Sequence, residues 1–328
     1  NISSIIHLAA YLNVSEAENN KKKYYQNNII GTKNLLEVCK NSNVENIIFS
    51  SSCSIYGDVK GSINENRKAN PQGYYAYTKY KSEELIKKFS KKNKFKYGIL
   101  RYFNVAGASP SGKIGEIEKS HGHLIKNLAI ESLKKNPKIK IFGNDYSTKD
   151  GTCIRDYVHV SDLADVHIKG LKYLKDNQKS FVLNCGYGKG YSVKQIVDIF
   201  KKIKKGVDVQ YQKRRPGDIA QVYANTKKFK NILKWRPKYN NIKLTVKSQS
   251  DGTLSLLYNY ESILIASSYK QNKIWRTNSY VVNSNIGSRK YYSKVFWNKE
   301  IKELQYEVDP PLDLNKVYDV PKSTLLNV

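Results

Sequence analysis

Tyr75 and Lys79 stand four residues apart in GYYAYTKYKSEELIKKF, Gly73 to Phe89, and Tyr77 and Lys81 repeat the spacing two residues later. On a helix, residues four apart lie one above the other. A phenol ordinarily ionises near pH 10, and an ammonium beside it favours the phenolate. Such a pair can supply a base at neutral pH. A helical wheel separates the two frames, because a shift of two residues turns about 200° around the axis. Leu85, Ile86 and Phe89 define the buried side. Tyr75 points within about 35° of it, Lys79 lies about 75° off on its rim, and Tyr77 points about 125° away. The inward pair is Tyr75 with Lys79. Ser52, at the end of an earlier apolar run, can exchange a proton beside the same hydroxyl. In a chain with 26 tyrosines the spacing also arises by chance, so it needs a scaffold to mean anything.

The scaffold reads as alternating strands and helices. SSIIHLAA (3–10), NIIFSSS (46–52) and YGILRYFN (97–104) are short apolar runs of the kind buried parallel strands carry. Between them lie YYQNNIIGTKNLLEVCKNS, with Ile29, Ile30, Leu35, Leu36 and Cys39 at helical spacing, and the Tyr/Lys helix itself. This alternation predicts an α/β fold, with a parallel sheet covered on both faces. Ligands collect beyond the carboxyl ends of such strands. Those ends read Ala9-Ala10, Ser50-Ser51-Ser52 and Tyr102-Phe103-Asn104. Further on, HLIKNLAIESLKK, SDLADVHIKGLKYLK and SVKQIVDIFKKI read as helices, the last two capped by Ser161 and Ser192. KIKIF, FVLNC and VDVQY read as strands. Residues 1–106 and 107–248 are expected as two α/β domains, and 249–328 as an unassigned tail.

The chain has 328 residues, 40% of them hydrophobic, and a net charge of +29. No apolar run approaches the roughly 20 residues of a bilayer-spanning helix. The charge suggests nucleic acid at first sight. Yet the lysines are spread over every segment and no nucleic-acid-binding signature accompanies them, so a nucleic-acid partner is not expected. A basic surface favours an acidic small substrate such as a diphosphate. Cys39, Cys53, Cys153 and Cys185 form no Cys-x-x-Cys pair, and His121 and His123 are the only close histidines. No metal site is expected, and isolated thiols suit a reducing cytoplasm.

Taken together, IIHLAA, YYQNNIIGTKNLLE, FSSSCSIYGD, YYAYTK, LRYFNVAGASPSGKIGE, IFGNDYSTKDGTCIRDYVHVSDLADVH and RRPGD resemble the extended short-chain dehydrogenase/reductases, most closely the UDP-glucose 4-epimerases. The likeness runs from Ile2 to about Lys247. It implies NAD-dependent inversion at the sugar C4 through a 4-keto intermediate, with Tyr75 as base, Lys79 holding the nicotinamide ribose and Ser52 on the reacting oxygen. By the same likeness Ala9, Ala10, Asn27, Ser50 and Tyr102 line NAD. Asn104, Leu124, Phe142, Arg155, Tyr157, Arg215 and Asp218 contact the UDP-sugar, with the two arginines as diphosphate clamps. SSCSIYG carries no carboxylate pair, which disfavours dehydration of the sugar. The family's gate position falls on Val222, whose small side chain implies that N-acetyl sugars are admitted. A homodimer is expected for a complete domain.

The family's glycine-rich phosphate loop has no match, since the first glycine is Gly31. With no methionine in the chain, Asn1 reads as the start of a fragment or processed product. The strand at Ile5 is then expected at an exposed edge. Gln249 to Val328 matches nothing in the family and reads as a fused module, a relic or a shifted frame. A non-catalytic nucleotide-sugar binder is the alternative, and a nucleic-acid-binding protein the more distant one.

Overall fold

Ile47 and Phe49 point to one side of their strand and Ile48 to the other, and both sides are buried. That alternation requires a covered sheet. The structure is a computed structural model; it describes residues 2–109, 114–116, 123–215 and 218–239 in full, and the strands alone between 244 and 309. His121, Pro216, Gly217 and the tail after Asp309 lie outside the described residues.

The chain divides into two compact units interleaved in sequence. The first takes residues 1–105, 141–194 and 211–240; the second takes 106–140, 195–210 and 241–328. The stretch expected as one domain, 107–248, thus contributes to both.

The first unit is built on a parallel sheet of β1 (Ser4–His7), β2 (Asn46–Ser52), β4 (Lys96–Tyr102) and β8 (Phe181–Cys185), in the order β1-β2-β4-β8. Among the described residues β1 pairs with β2 alone, and Ile6, Leu8 and Leu12 near it are exposed. One face is covered by α3 (Gly31–Lys40) and α4 (Tyr74–Lys92), where Leu36, Ile86, Phe95 and Ile99 close over Ile47 and Phe49. The other is covered by α6 (Val160–Asn177) and α8 (Lys227–Leu233), with Leu163, Val166, Leu174 and Phe229 around Ile48 and Leu100. At about 25 cal/mol per Å² of apolar surface removed from water, closing these two layers over the sheet favours folding of this unit. They therefore fix where the strand ends lie.

Before α3 the chain makes α1 (Val14–Asn19) and α2 (Lys21–Tyr24), then a π-helical turn from Tyr25 to Ile30, where a continuous helix is expected. One residue too many for an α-turn is absorbed there. The turn sends the Asn28 side chain inward to bond Tyr11 and Thr78.

A second sheet carries the short strands β3 (Gly61–Ile63), β5 (Asn104–Ala106), β7 (Ile154–His159) and β11 (Gln221–Ala224), ordered β3-β11-β7-β5, with β9 (Gly190–Ser192) against β7. Sequence periodicity finds none of these, since three to six residues are too few to set a period. β6 (Lys138–Phe142) pairs with β10 (Asp208–Gln212). The second unit holds α5 (Leu124–Ser132) and most of α7 (Val193–Ile203). It also holds an antiparallel hairpin, β12 (Leu244–Ser248) with β13 (Leu254–Tyr258). Four antiparallel strands follow: β14 (Ser262–Gln271), β15 (Ile274–Ile286), β16 (Arg289–Asn298) and β17 (Glu303–Asp309). The expected cap of α6 is corrected: His159, not Ser161, sits at the N-cap, its Nδ1 accepting from the Ser161 amide at 3.1 Å. Ser192 precedes α7, and the Lys194 amide donates to the Thr152 hydroxyl at 3.1 Å.

Candidate active site

Ser52 and Tyr102 are register partners at the ends of β2 and β4, so the chemistry-bearing side chains start level. Tyr75 lies in the first turn of α4 and is half-buried, whereas Tyr77 is 37% exposed and lines a surface groove with Lys81 and Leu85. The Ser52 side chain lies close enough to the Tyr75 phenol to act on it and lower its pKa. The Ser52 oxygen already accepts from the Ser54 amide at 3.2 Å and its hydroxyl at 3.0 Å, which leaves Ser52 its own proton to donate. One turn along α4, Lys79 is 1% exposed. Its Nζ donates to the Ser50 carbonyl at 2.8 Å and lies 5.1 Å from the centre of the Phe49 ring.

The electrostatics of this corner run against the sequence expectation. Burial pushes the Tyr75 phenol up to about 12, and the neighbouring Ser52 only partly opposes it. Burial also pulls Lys79 down to about 8, because an ammonium loses its hydration there. The lysine spends its charge on the Ser50 carbonyl and the Phe49 ring instead of on the phenol. His7 on β1 is held at about 4, first by burial and then by the Lys79 charge.

Tyr102 also sits in this corner. Nδ1 of His167 donates to the Leu163 carbonyl at 2.7 Å, so its Nε2 must accept from the Tyr102 hydroxyl at 2.5 Å. The nearby Ser50 side chain acts to lower the same phenol, but burial holds it above its usual range. Ala9 is exposed and Ala10 half-buried just past β1; Asn27 is exposed and donates to Asn28. A buried ammonium, two serines and two phenols at two strand ends suit the hydroxyls of a nicotinamide ribose. Among the described residues before Gly31, no glycine offers a backbone cradle for a pyrophosphate.

A second cluster forms on β7 and the loop entering β11. Arg155 donates to the Ile154 and Ile219 carbonyls at 2.9 and 2.8 Å and approaches the Asp218 carboxylate at 3.4 Å. Arg215 reaches the other Asp218 oxygen at 2.9 Å, with its guanidinium 5.0 Å from the exposed Phe142 ring. Tyr157, 4% exposed, lies within the field of both arginines, and burial still holds its phenol above the usual range. Fully buried Asp156 accepts from the Tyr187, Gly188 and Ala224 amides and so ties β7 to β11. Asn104 is half-buried on β5, and Leu124 opens α5 in the second unit. Val222 is buried on β11 against Ile55, Tyr56 and Ile63.

Between the clusters sits Cys53, a residue to which the motifs assign no role. The Arg155 charge acts on its thiol, which burial raises to about 12, and the thiol in turn acts on Tyr75. His167 is the other residue missed, and only its place within SDLADVHIKGL could have flagged it.

Residues 1–186 match the profile of a family described as NAD dependent epimerase/dehydratase. A UDP-glucose 4-epimerase of Lactobacillus helveticus is 41% identical over 244 residues, which span 74% of each chain. Among solved structures, the UDP-glucose 4-epimerase of Bifidobacterium longum, in complex with NAD+ and UDP, is 36% identical, with a TM-score of 0.66. The match covers 73% of this chain and 72% of that one. The UDP-Glc/GlcNAc 4-epimerase of Campylobacter jejuni is 41% identical with a TM-score of 0.62, over 73% of both chains.

Proposed function

The chain belongs to the NAD dependent epimerase/dehydratase family, and from that membership we propose that it is a UDP-glucose 4-epimerase working through Tyr75. The observation that carries the reading is the Tyr75 phenol beside Ser52, with a desolvated Lys79 one turn along the same helix. NAD, when bound, accepts and returns the hydride and brings a positive ring that lowers the phenol's pKa. Tyr75 takes the proton from the sugar 4-hydroxyl and later gives it back to the 4-keto oxygen. Ser52 donates to that oxygen, its own lone pairs being filled from Ser54. Lys79, Ser50, Tyr102, Ala9, Ala10 and Asn27 hold the cofactor.

Arg155 and Arg215 exchange Asp218 for the diphosphate, and the freed Asp218 accepts from a ribose hydroxyl. Asn104, Phe142 and Tyr157 line the nucleotide sugar. Val222, small and withdrawn into β11, leaves room for an N-acetyl group, so UDP-N-acetylglucosamine is a second substrate. Turnover of UDP-glucose alone removes that part. The chain is a cytoplasmic homodimer in this reading. Four free cysteines fit a reducing compartment, and the exposed Tyr25 and Tyr77 offer an apolar face along α4. Light scattering on the eluted protein decides the dimer. No helix among the described residues is long and apolar enough to cross a membrane.

The test supplies the protein with UDP-galactose and NAD and follows UDP-glucose. Product that vanishes in Tyr75→Phe supports the proposal. UDP binding without product, and without NAD released on denaturation, overturns it in favour of a non-catalytic nucleotide-sugar binder.

A further inference from the structure

Glu83 follows Lys79 by four residues, as Lys79 follows Tyr75, so all three lie along one face of α4. It is 0% exposed and makes four polar contacts. Oε1 accepts from the Ser51 hydroxyl at 2.6 Å and from Nε of Arg101 at 2.9 Å. Oε2 accepts from Nη2 of Arg101 at 2.7 Å and from Lys87 at 3.0 Å. Three successive turns of the helix thus meet three successive residues of β2: Lys79 bonds Ser50, Glu83 bonds Ser51, and Tyr75 lies beside Ser52.

Arg101, on β4, carries the grip further. Its Nη1 donates to the Tyr56 hydroxyl at 2.7 Å, and Tyr56 donates to Asn184 of β8 at 2.7 Å. Tyr56 closes the 3₁₀ turn Cys53–Tyr56, which also contains Ser54, the residue that orients Ser52. Gly57 ends that turn at φ 70°, where a Cβ would meet the Asn70 carbonyl oxygen at 2.0 Å. A single buried ion pair therefore ties α4 to β2, β4, β8 and the serine turn.

We propose that Glu83, through Arg101 and Ser51, is the positioning residue that sets where Tyr75 and Lys79 stand against the end of β2. Apolar packing cannot do this alone, because hydrophobic attraction has no direction. A slide by one residue moves a helix only about 1.5 Å while turning it about 100°. Leu85, Ile86 and Phe89 tolerate part of such a slide, whereas a two-toothed guanidinium–carboxylate bond does not. A buried ion pair, moreover, is often no more stabilising than an apolar pair of equal volume. Its place beneath the catalytic turns is then explained by register rather than by stability. The proposal rests on the epimerase reading for the task of Tyr75 and Lys79, but its test does not.

The test follows the Lys79 ammonium by ¹³Cε lysine NMR across pH, with the signal assigned through Lys79→Arg. The groups facing it are His7 from β1 and Phe49 and Ser50 from β2. Glu83→Gln and the apolar pair Glu83→Leu/Arg101→Met are compared with the wild type, their folds checked by circular dichroism. Expected is a folded variant whose Lys79 midpoint climbs by about one pH unit or more toward 10.5 as the helix shifts and water reaches it. In parallel kcat falls at least about tenfold with KM for the UDP-sugar unchanged, and Glu83→Asp recovers part of it. A Lys79 midpoint equal to the wild type's in either folded variant overturns the proposal. Loss of fold in both variants overturns it too, because Glu83 is then structural. Should the wild type epimerise nothing, the Lys79 titration still decides the register, and only the functional reading fails.

Discussion

The serine–tyrosine–lysine corner and the arginine–aspartate cluster share one unit but are built on opposite principles. The first removes its charges from water: Lys79 and Glu83 are buried, and burial displaces Tyr75 up to about 12 and Lys79 down to about 8. The second leaves its charges partly wet, with the Arg215 side chain 62% exposed and Asp218 shared between two guanidiniums. Desolvation tunes proton affinity, whereas half-solvated ion pairs exchange partners easily and are screened by salt. A corner that moves protons and a clamp that swaps Asp218 for phosphate need those two environments respectively. Cys53, acted on by Arg155 and acting on Tyr75, is where they meet.

The contrast is sharpest for Tyr75→Phe, which should lower kcat by about 10² to 10⁴ while UDP affinity stays put. Activity within tenfold of wild type breaks the comparison at its strongest point. Next is Lys79→Met, read as stability. With a folded pKa of about 8 against 10.5 unfolded, the folded state sheds its proton first. The cost of the buried charge is therefore fully present below pH 8 and fades as pH rises toward 10.5. Wild-type stability should gain roughly 3 kcal/mol relative to Lys79→Met between pH 7 and pH 10.5, measured by urea unfolding. Equal pH dependence in the two proteins removes the desolvation argument.

Arg155→Ala should weaken UDP binding about ten- to a hundredfold, as expected for a charge-assisted hydrogen bond lost from a half-buried site. Calorimetry should show wild-type affinity falling with salt more steeply than that of the variant. The smallest effect belongs to Tyr77→Phe. It repeats the Tyr/Lys spacing on the exposed side and should change stability by no more than about 0.5 kcal/mol and leave kcat unchanged.

How much of this could be read beforehand differs by element. The choice of Tyr75 over Tyr77 follows from three apolar residues and the helical period, and their exposures in the structure differ accordingly. The strands at Ile47 and Ile99 announce themselves because a doubly covered strand must be apolar on both faces, and the edge strand at Ile5 carries the same apolar signal although Ile6 is exposed. The direction of the Tyr75 pKa could not be read, because it depends on how much water the fold excludes and on which acceptor Lys79 finds. The π-turn at Tyr25–Ile30 and the histidine cap of α6 escape notice for a related reason: each is a local irregularity chosen by distant partners. Arg101 looks like one more cation in a chain with 57 lysines and arginines until Glu83 is seen beneath it.

By itself, then, the order of residues determined the alternation of strands and helices, the inward face of α4 and the family, since periodicity and motifs are local properties of the chain. Only the tertiary structure decided that segments 141–194 and 211–240 fold with the first hundred residues, and that Ser50, Ser51 and Ser52 each meet a different turn of one helix. Those outcomes depend on burial and on the direction of bonds between residues tens of positions apart, and neither exists until the sheet has closed around them.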